Sequence, residues 1–319
     1  MSPRKRRILL TFSGLGLGIS LLALLGPRAK MGSPPELTPP PTSLSGLPQW
    51  VQDQDTSEDT VLPGNHSQLH WGAEPGRRTP LALVYLHGFS ASPMEIEPVM
   101  TQAAAELGAN LYMPLLAGHG RGSDAMGGAR AEQWVAETRR AIQVGQLLGE
   151  RVVVVGTSTG GTLAVIEAPS TELAGLVLIN PNFGPQNRAT ELGLLPWGEL
   201  LLTRLLAPYS WEPSSPAQAQ HWTTTYEIQA VVEMMLIVQA AREVDPATLE
   251  LPTLVLRSDA DHVVDQAAVT SFAEGLPQGD VVVVPYTSGE NGHVLAGAIL
   301  SPSRTQEVQG ALVEFCRGI

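Results

Sequence analysis

Cysteine is almost absent from this 319-residue chain. Its one cysteine, Cys316, cannot form an intramolecular disulfide, and a single thiol cannot hold a metal cluster. Its apolar neighbours Leu312, Val313 and Phe315 indicate that the thiol is buried on the inward face of a terminal helix. The sequence therefore favours neither a disulfide-stabilised scaffold nor a thiolate metal site.

Lysine is nearly as scarce, with only Lys5 and Lys30. No glycine-rich turn of the body contains a lysine, and a phosphate-binding P-loop needs Gly-Lys followed by Ser or Thr. No metal-ligand or nucleotide motif occurs either, so we expect no metal and no cofactor. Residues 1–30 hold six basic residues and no acid, which leaves 13 basic and 31 acidic residues for the rest. An acidic body repels phosphate backbones, so nucleic acid is not an expected partner.

The N-terminus combines a basic cluster with an apolar run. Arg4 to Arg7 precede the 18 apolar-rich residues Ile8–Leu25, which as a helix would be roughly 27 Å long. The positive-inside rule then predicts a signal-anchor over residues 1–30 and an extracytoplasmic body. Two alternatives stay open. A cleaved signal peptide would leave the body secreted or periplasmic, and translation from Met31 would remove the segment.

Residues 31–68 are rich in proline and then in acidic residues, from Pro34 to Asp59. This composition predicts a stiff, extended linker. The folded body is expected over residues 69–319, because short apolar runs and helical stretches alternate from there onward.

The apolar runs are short and apolar on successive residues, as in strands buried on both faces. They are Leu81–Leu86, Asn110–Pro114, Val152–Val155, Leu176–Ile179, Leu254–Leu256 and Val281–Val284. Between them, Met94–Leu107 and Arg130–Leu148 have helical patterns. This order predicts an α/β fold with a mainly parallel sheet that is flanked by helices on both faces.

Residues 183–245 interrupt the alternation. They contain no convincing strand, several aromatic residues and two helical stretches, Leu192–Leu206 and Ile228–Arg242. We interpret them as a helical cap over the carboxyl ends of the strands, where α/β sheets bind ligands. The alternative is two further packing helices.

A serine lies at the corner between a strand and a helix. The strand Val152–Val155 runs directly into Gly156-Thr157-Ser158-Thr159-Gly160. Such a tight turn needs small residues on either side of the serine and lifts its hydroxyl above the sheet edge. Ser158 is therefore the predicted nucleophile.

A serine needs a base, and the base needs a carboxylate that orients it. His293 lies in a glycine-containing loop after the last strand, where it can reach back over Ser158. The turn after strand Leu254–Leu256 offers Asp259 and Asp261. Asp261 is favoured because a Val-Val pair follows it and can pin the loop, and Asp259 remains the alternative.

The tetrahedral intermediate needs two backbone N–H donors. Thr159, directly after the nucleophile, is expected to supply one, and Phe89 in the loop after the first long strand the other. His87 is interpreted as a structural hydrogen-bonding residue. His119 is interpreted as a residue that fixes its loop, with contact to the substrate as the alternative.

These motifs resemble those of the α/β-hydrolase superfamily. They are Leu-His-Gly-Phe at 86–89, Ala-Gly-His-Gly at 117–120, Gly-Thr-Ser-Thr-Gly-Gly at 156–161, the Asp261 turn and Gly292-His293. The nearest resemblance is to the carboxylesterase, monoacylglycerol lipase and serine aminopeptidase-like branch, over residues 69–319. It implies the α/β-hydrolase fold, a Ser158–His293–Asp261 triad and Phe89 and Thr159 as oxyanion donors. Ser258 stands where relatives often carry glycine, which keeps Asp259 in consideration.

The expected activity is hydrolysis of carboxylic esters through an acyl-enzyme. Aromatic and leucine side chains of the cap favour a small ester with an apolar acyl group, either a short- to medium-chain ester or one like a monoacylglycerol or lysophospholipid. The same triad would also suit a peptidase, a thioesterase or an acyltransferase. A membrane-tethered binding module without activity is the alternative from another class.

Overall fold

The computed structural model describes residues 25–56 and 60–319. The predicted signal-anchor therefore lies outside the described residues except for positions 25–30. Among the helices of the described ranges, none combines the length and the apolar character needed to cross a bilayer.

Seven strands of the described chain form one sheet in the order β1-β3-β2-β4-β5-β8-β9. Together with β6 and β7, which lie outside this sheet, the strands of the described chain are β1 Gln68–His70, β2 Thr79–Leu86, β3 Asn110–Met113, β4 Gly149–Thr157, β5 Gly175–Ile179, β6 Tyr209–Ser210, β7 Thr225–Tyr226, β8 Thr253–Arg257 and β9 Gly279–Val283. All neighbours in this sheet are parallel except β1, which pairs antiparallel with β3. The short strands β6 and β7 pair separately. The predicted mainly parallel sheet is confirmed.

Helices cover both faces of the sheet. They are α1 Leu47–Thr56, α2 Val99–Leu107, α3 Ser123–Gly128, α4 Ala131–Leu148, α5 Thr159–Glu167, α6 Gly198–Leu205, α7 Pro216–His221, α8 Ile228–Arg242, α9 Gln266–Glu274 and α10 Thr305–Gly318. Alternate residues of a strand point to opposite faces. Val152 and Val154 accordingly pack in the cluster formed with α4, α5 and α8, whereas Val153 and Val155 pack in the cluster formed with α2 and α10.

The predicted linker is not extended throughout. Helix α1 lies within it, and Leu47 and Val51 are buried in the main core cluster. Asp55, one of the acidic residues of this segment, is buried and accepts hydrogen bonds from the backbone and hydroxyl of Ser67 at 2.8 and 2.7 Å. The apolar spacing of Leu47, Trp50 and Val51 places all three on one side of a helix, which an argument from proline and acid content overlooks.

Residues 183–245 contain α6, α7 and α8 together with the hairpin of β6 and β7. Helix α8 has the predicted bounds. The predicted helix Leu192–Leu206 is instead divided into a 3₁₀ helix, Arg188–Leu194, and α6. Pro196 lies at the break, and the residue before a proline avoids the helical conformation. The expected absence of strands is wrong for β6 and β7.

Candidate active site

Ser158 occupies a strained turn between β4 and α5. Its backbone has φ 52° and ψ −118°, in the left-handed half of conformational space that non-glycine residues rarely adopt. A Cβ at Gly160 would lie 2.0 Å from the carbonyl oxygen of Leu86, and one at Gly156 would lie 2.5 Å from the backbone of Gly160. Two glycines are therefore required for the close approach that this turn makes.

Backbone hydrogen bonds hold the serine in this conformation. The Ser158 N–H donates to the carbonyl of Ile179 at 2.9 Å, and its own carbonyl accepts from the Thr162 and Asn182 N–H groups. Helix α5 starts at Thr159, whose N–H belongs to the first turn of the helix. First-turn N–H groups have no acceptor within their helix and carry partial positive charge. The Thr159 N–H therefore suits its predicted role as a donor to an oxyanion.

His293 and Asp261 form a direct pair. His293 Nδ1 lies 2.7 Å from Asp261 Oδ2, with the carboxylate fully buried and the imidazole 12% exposed. The other oxygen, Oδ1, accepts the N–H groups of Val263 and Val264 at 2.7 and 3.1 Å. The Val-Val pair thus fixes the carboxylate through its backbone. Only one of the two side chains packs inward, since Val264 is buried and Val263 is 53% exposed.

Asp259 points elsewhere. Its carboxylate pairs with Arg257 at 2.6 Å, and its side chain is 75% exposed. Of the two aspartates that the sequence left open, Asp261 is the one that the structure brings to His293.

Opposing influences act on the pKa of His293. Burial disfavours the charged ring, but the negative charge of Asp261 and its hydrogen bond favour it, with a further contribution from the charge of Glu95. The favourable interactions prevail, and the pKa is raised above its ordinary value of 6.5. The hydrogen bond to Asp261 also keeps the proton on Nδ1 of the neutral ring, which leaves Nε2 as an acceptor.

His87 orients the loop that contains Phe89. Leu116 N–H donates to His87 Nε2 at 3.1 Å, so the ring proton of neutral His87 is on Nδ1, and this N–H donates to the Gly88 carbonyl at 3.0 Å. The Gly88 carbonyl and the Phe89 N–H belong to the same planar peptide and point in opposite directions. Fixing the carbonyl therefore fixes the direction of the N–H. Burial lowers the pKa of His87 to about 4, which keeps the ring neutral. The structural interpretation of His87 is confirmed.

Sequence reasoning missed Glu95. This residue is 2% exposed and lies in the 3₁₀ helix Pro93–Ile96. Its Oε2 accepts from the Gly88 N–H and from the Tyr85 hydroxyl, both at 2.8 Å. Burial raises its pKa to about 7, although these hydrogen bonds and the charge of His293 act in the opposite direction. A glutamate two residues after a Ser-Pro helix start resembles an ordinary first-turn acid, so only the tertiary structure reveals its place.

His119 lies behind the Phe89 loop. Its Nδ1 donates to the Ala117 carbonyl at 3.0 Å, and its ring packs edge-on against Phe89 and Trp134 at 6.1 and 5.5 Å. Burial lowers its pKa well below the ordinary value, so the ring is neutral. These contacts agree with the predicted loop-fixing role.

A cavity of about 610 Å³ opens between the sheet edge and residues 183–245. Ser158, His293, Phe89 and Glu95 contribute to one part of its wall. Residues 183–245 contribute largely apolar side chains to the wall, among them those of Leu192, Leu202, Leu206, Trp211, Trp222 and Val231. The predicted nucleophile, base and one oxyanion donor thus share one cavity with an apolar surface. No cluster of His, Cys, Asp and Glu within the described ranges could hold a metal ion.

Comparison with known proteins places this fold in a family. The model of a family described as the alpha/beta hydrolase family matches residues 83–302. A thermostable monoacylglycerol lipase of Bacillus sp. (strain H-257) is 26% identical over 219 residues, which are 67% of this chain and 84% of the lipase.

Two solved structures have similar folds. A metagenome-derived lipolytic enzyme superposes with a TM-score of 0.66 at 20% identity, over 82% of this chain and all of that one. A soluble variant of the monoglyceride lipase of Saccharomyces cerevisiae gives a TM-score of 0.60 at 10% identity, over 80% and 95% of the two chains. With the family model covering most of its folded body, the chain belongs to the α/β-hydrolase family.

Proposed function

We propose that this protein is a serine hydrolase that cleaves carboxylic esters through an acyl-enzyme. The observation that carries the proposal is the His293–Asp261 pair at 2.7 Å, whose imidazole shares a cavity wall with Ser158 in its strained turn. Ester hydrolysis also agrees with the lipases and esterases among the similar proteins.

The chemistry follows from these positions. The Ser158 hydroxyl attacks the ester carbonyl while His293 Nε2 takes its proton, and Asp261 stabilises the imidazolium that results. The Phe89 and Thr159 N–H groups stabilise the oxyanion. Collapse of the intermediate expels the alcohol, which receives the proton from His293. A water molecule then attacks the acyl-enzyme with His293 again acting as base, and Ser158 is regenerated.

The cap supports an apolar acyl group in the substrate. Leucine, valine and tryptophan side chains of this segment line the cavity, and burial of each CH₂ group against them contributes about 0.8 kcal/mol. We therefore propose short- to medium-chain esters, including those of the monoacylglycerol and lysophospholipid type. A peptidase, thioesterase or acyltransferase with the same three residues is the alternative.

Hydrolysis of p-nitrophenyl esters tests the proposal. The wild type is expected to hydrolyse the acetate, butyrate and octanoate, and Ser158→Ala is expected to lose roughly 10³-fold or more in kcat. A fluorophosphonate probe is expected to label the wild type at Ser158 and leave the variant unlabelled. Equal, slow hydrolysis by both proteins would contradict the proposal. Parallel assays on acyl-thioesters and aminoacyl-anilides separate ester hydrolysis from the alternatives.

A membrane anchor at the N-terminus remains part of the proposal. In the described chain, the N–H of Trp197, which directly precedes α6, donates to the Pro27 carbonyl at 2.7 Å. The segment that would follow the anchor therefore lies beside the start of α6. Leu201 and Leu205 of this helix are 50% and 75% exposed. An anchored protein with an extracytoplasmic domain should stay with membranes after carbonate extraction and be cleaved by protease added outside. Recovery in the soluble fraction with Met31 at the N-terminus would contradict it.

A further inference from the structure

Two segments are expected to donate N–H groups to the oxyanion, and one buried carboxyl connects them. The first segment contains Gly88 and Phe89, and the Gly88 N–H donates to Glu95 Oε2 at 2.8 Å. The second contains Thr157, Ser158 and Thr159. The Tyr85 hydroxyl donates to the same Glu95 oxygen at 2.8 Å and lies 3.0 Å from Thr157 Oγ1.

We propose that Glu95 is a positioning residue that holds these two segments at a fixed separation, through a carboxyl that also lies on the cavity wall with His293. This role rests on the proposed ester hydrolysis. An oxyanion is stabilised only when both donors lie about 3 Å from its oxygen, so a shift of either segment reduces the rate.

Space around the carboxyl is restricted. A Cβ at Gly88 would lie 2.8 Å from Glu95 Oε1 and 3.4 Å from the Cβ of Ser158, so glycine is the residue that lets the loop pass between them. Both hydrogen bonds that the described residues make to this carboxyl end on Oε2.

The same carboxyl acts electrostatically on the base. Its negative charge favours the imidazolium of His293, and the His293 charge favours ionised Glu95 in return. Asp261 is the other acid that acts on His293, and Tyr85 is the other titratable group bonded to Glu95. Because Glu95 has a pKa of about 7, its charge changes within the pH range in which a histidine base works.

Three substitutions separate positioning from general stability. Glu95→Gln keeps an oxygen that can accept from Gly88 and Tyr85 but cannot ionise. Glu95→Leu removes the acceptor, and Tyr85→Phe breaks the connection to Thr157. Glu97→Gln is the matched control, since Glu97 lies in the same loop and accepts from the Thr101 hydroxyl at 2.6 Å.

Kinetics with p-nitrophenyl butyrate between pH 5 and 9 give the first readout. We expect Glu95→Leu to lower kcat roughly 30- to 100-fold with KM within about threefold, and Tyr85→Phe to lower kcat by roughly tenfold. Glu95→Gln should restore most of the kcat that leucine loses. Because Glu95→Gln lacks the negative charge that favours the imidazolium, the acidic limb of its kcat/KM profile should move to lower pH by roughly 0.3 to 1 pH unit. Glu97→Gln should match the wild type in both.

The proposal is overturned if Glu95→Leu retains the wild-type kcat, or if the pH profile of Glu95→Gln superimposes on that of the wild type. Should the leucine variant fail to fold, Tyr85→Phe carries the same kinetic test. An NMR titration of the His293 Cε1–H is independent of activity. If the midpoint of the His293 titration is the same in Glu95→Gln and in the wild type, this inference is refuted. If the midpoint is lower in the variant but the wild type hydrolyses no ester, only the proposed function is refuted.

Discussion

Asp261 binds His293 with one oxygen and the backbone of its own loop with the other. Oδ2 lies 2.7 Å from His293 Nδ1, and Oδ1 accepts the N–H groups of Val263 and Val264. The carboxylate therefore cannot rotate away without losing two backbone hydrogen bonds. The loop that follows β8 consequently fixes both the tautomer and the orientation of the proposed base.

Replacement of Asp261 by asparagine tests this relationship. The amide can present its NH₂ group to Nδ1, which favours the wrong tautomer of His293, so kcat should fall roughly 10³- to 10⁴-fold with little change in KM. Asp259→Asn is the control, because Asp259 is exposed and paired with Arg257. Steady-state kinetics on p-nitrophenyl butyrate provide the measurement. A large loss in the Asp259 variant and a small one in the Asp261 variant would reverse the assignment.

The pH dependence of the wild type follows from His293. The ring must be neutral to accept the serine proton, and burial is outweighed by the Asp261 interaction, so the pKa lies above 6.5. Activity should therefore be low in acid and rise with pH through a midpoint above 6.5. The acidic limb of kcat/KM, fitted for the free enzyme, gives this midpoint. A midpoint clearly below 6.5 would show that desolvation prevails over the charge of Asp261.

The local sequence was sufficient to predict those features whose geometry is determined by one short segment. The Ser158 turn requires glycine at positions 156 and 160, and the sequence has both directly after a buried valine strand. Strands buried on both faces are apolar on successive residues, and five of the six predicted runs lie in buried strands. The sixth, Val281–Val284, also coincides with a strand and its end, but the expected burial is wrong there, because β9 lies at the edge of the sheet and is largely exposed. Asp261 was favoured over Asp259 on the Val-Val pair that follows, and the structure shows those two residues binding its carboxylate.

Other features depend on contacts between distant segments. The role of Glu95 depends on its hydrogen bonds to Gly88 and Tyr85, and its immediate sequence neighbours do not predict these contacts. Helix α1 is stable on the body because Leu47 and Val51 enter a core built from residues far along the chain. Most helical stability comes from such tertiary packing, which composition cannot reveal.

The cap leucines near the cavity should determine the preference for acyl length. Leu206 lines the cavity and is 51% exposed, so Leu206→Glu should leave folding intact. If the acyl chain of a long ester contacts Leu206, a charge there should raise KM for p-nitrophenyl decanoate roughly five- to tenfold and leave the acetate unaffected. Leu62→Glu, at a site 45% exposed and outside the cavity wall, is the control. Equal effects on both esters would exclude an acyl contact at Leu206.

Glu95 should also make stability depend on pH. Its pKa is about 7 in the folded protein, mainly through burial, against 4.5 as the ordinary value. Between these values the folded protein retains a proton that the unfolded chain has released, so the free energy of unfolding falls as pH rises from about 4.5 to about 7. The difference amounts to about 3 kcal/mol at higher pH.

Glu95→Gln removes this dependence. The stability of the variant relative to the wild type should increase by up to about 3 kcal/mol between pH 4.5 and pH 8, as measured by urea denaturation at each pH. Tyr85→Phe keeps the carboxyl and removes a hydrogen bond that lowers its pKa, so its fall in stability with pH should be at least as large as that of the wild type. Taking the difference between variant and wild type cancels groups that titrate equally in both proteins. A difference that stays constant over this range would mean that Glu95 has the same pKa in the folded and unfolded states, and that its burial is fully offset by Gly88, Tyr85 and His293.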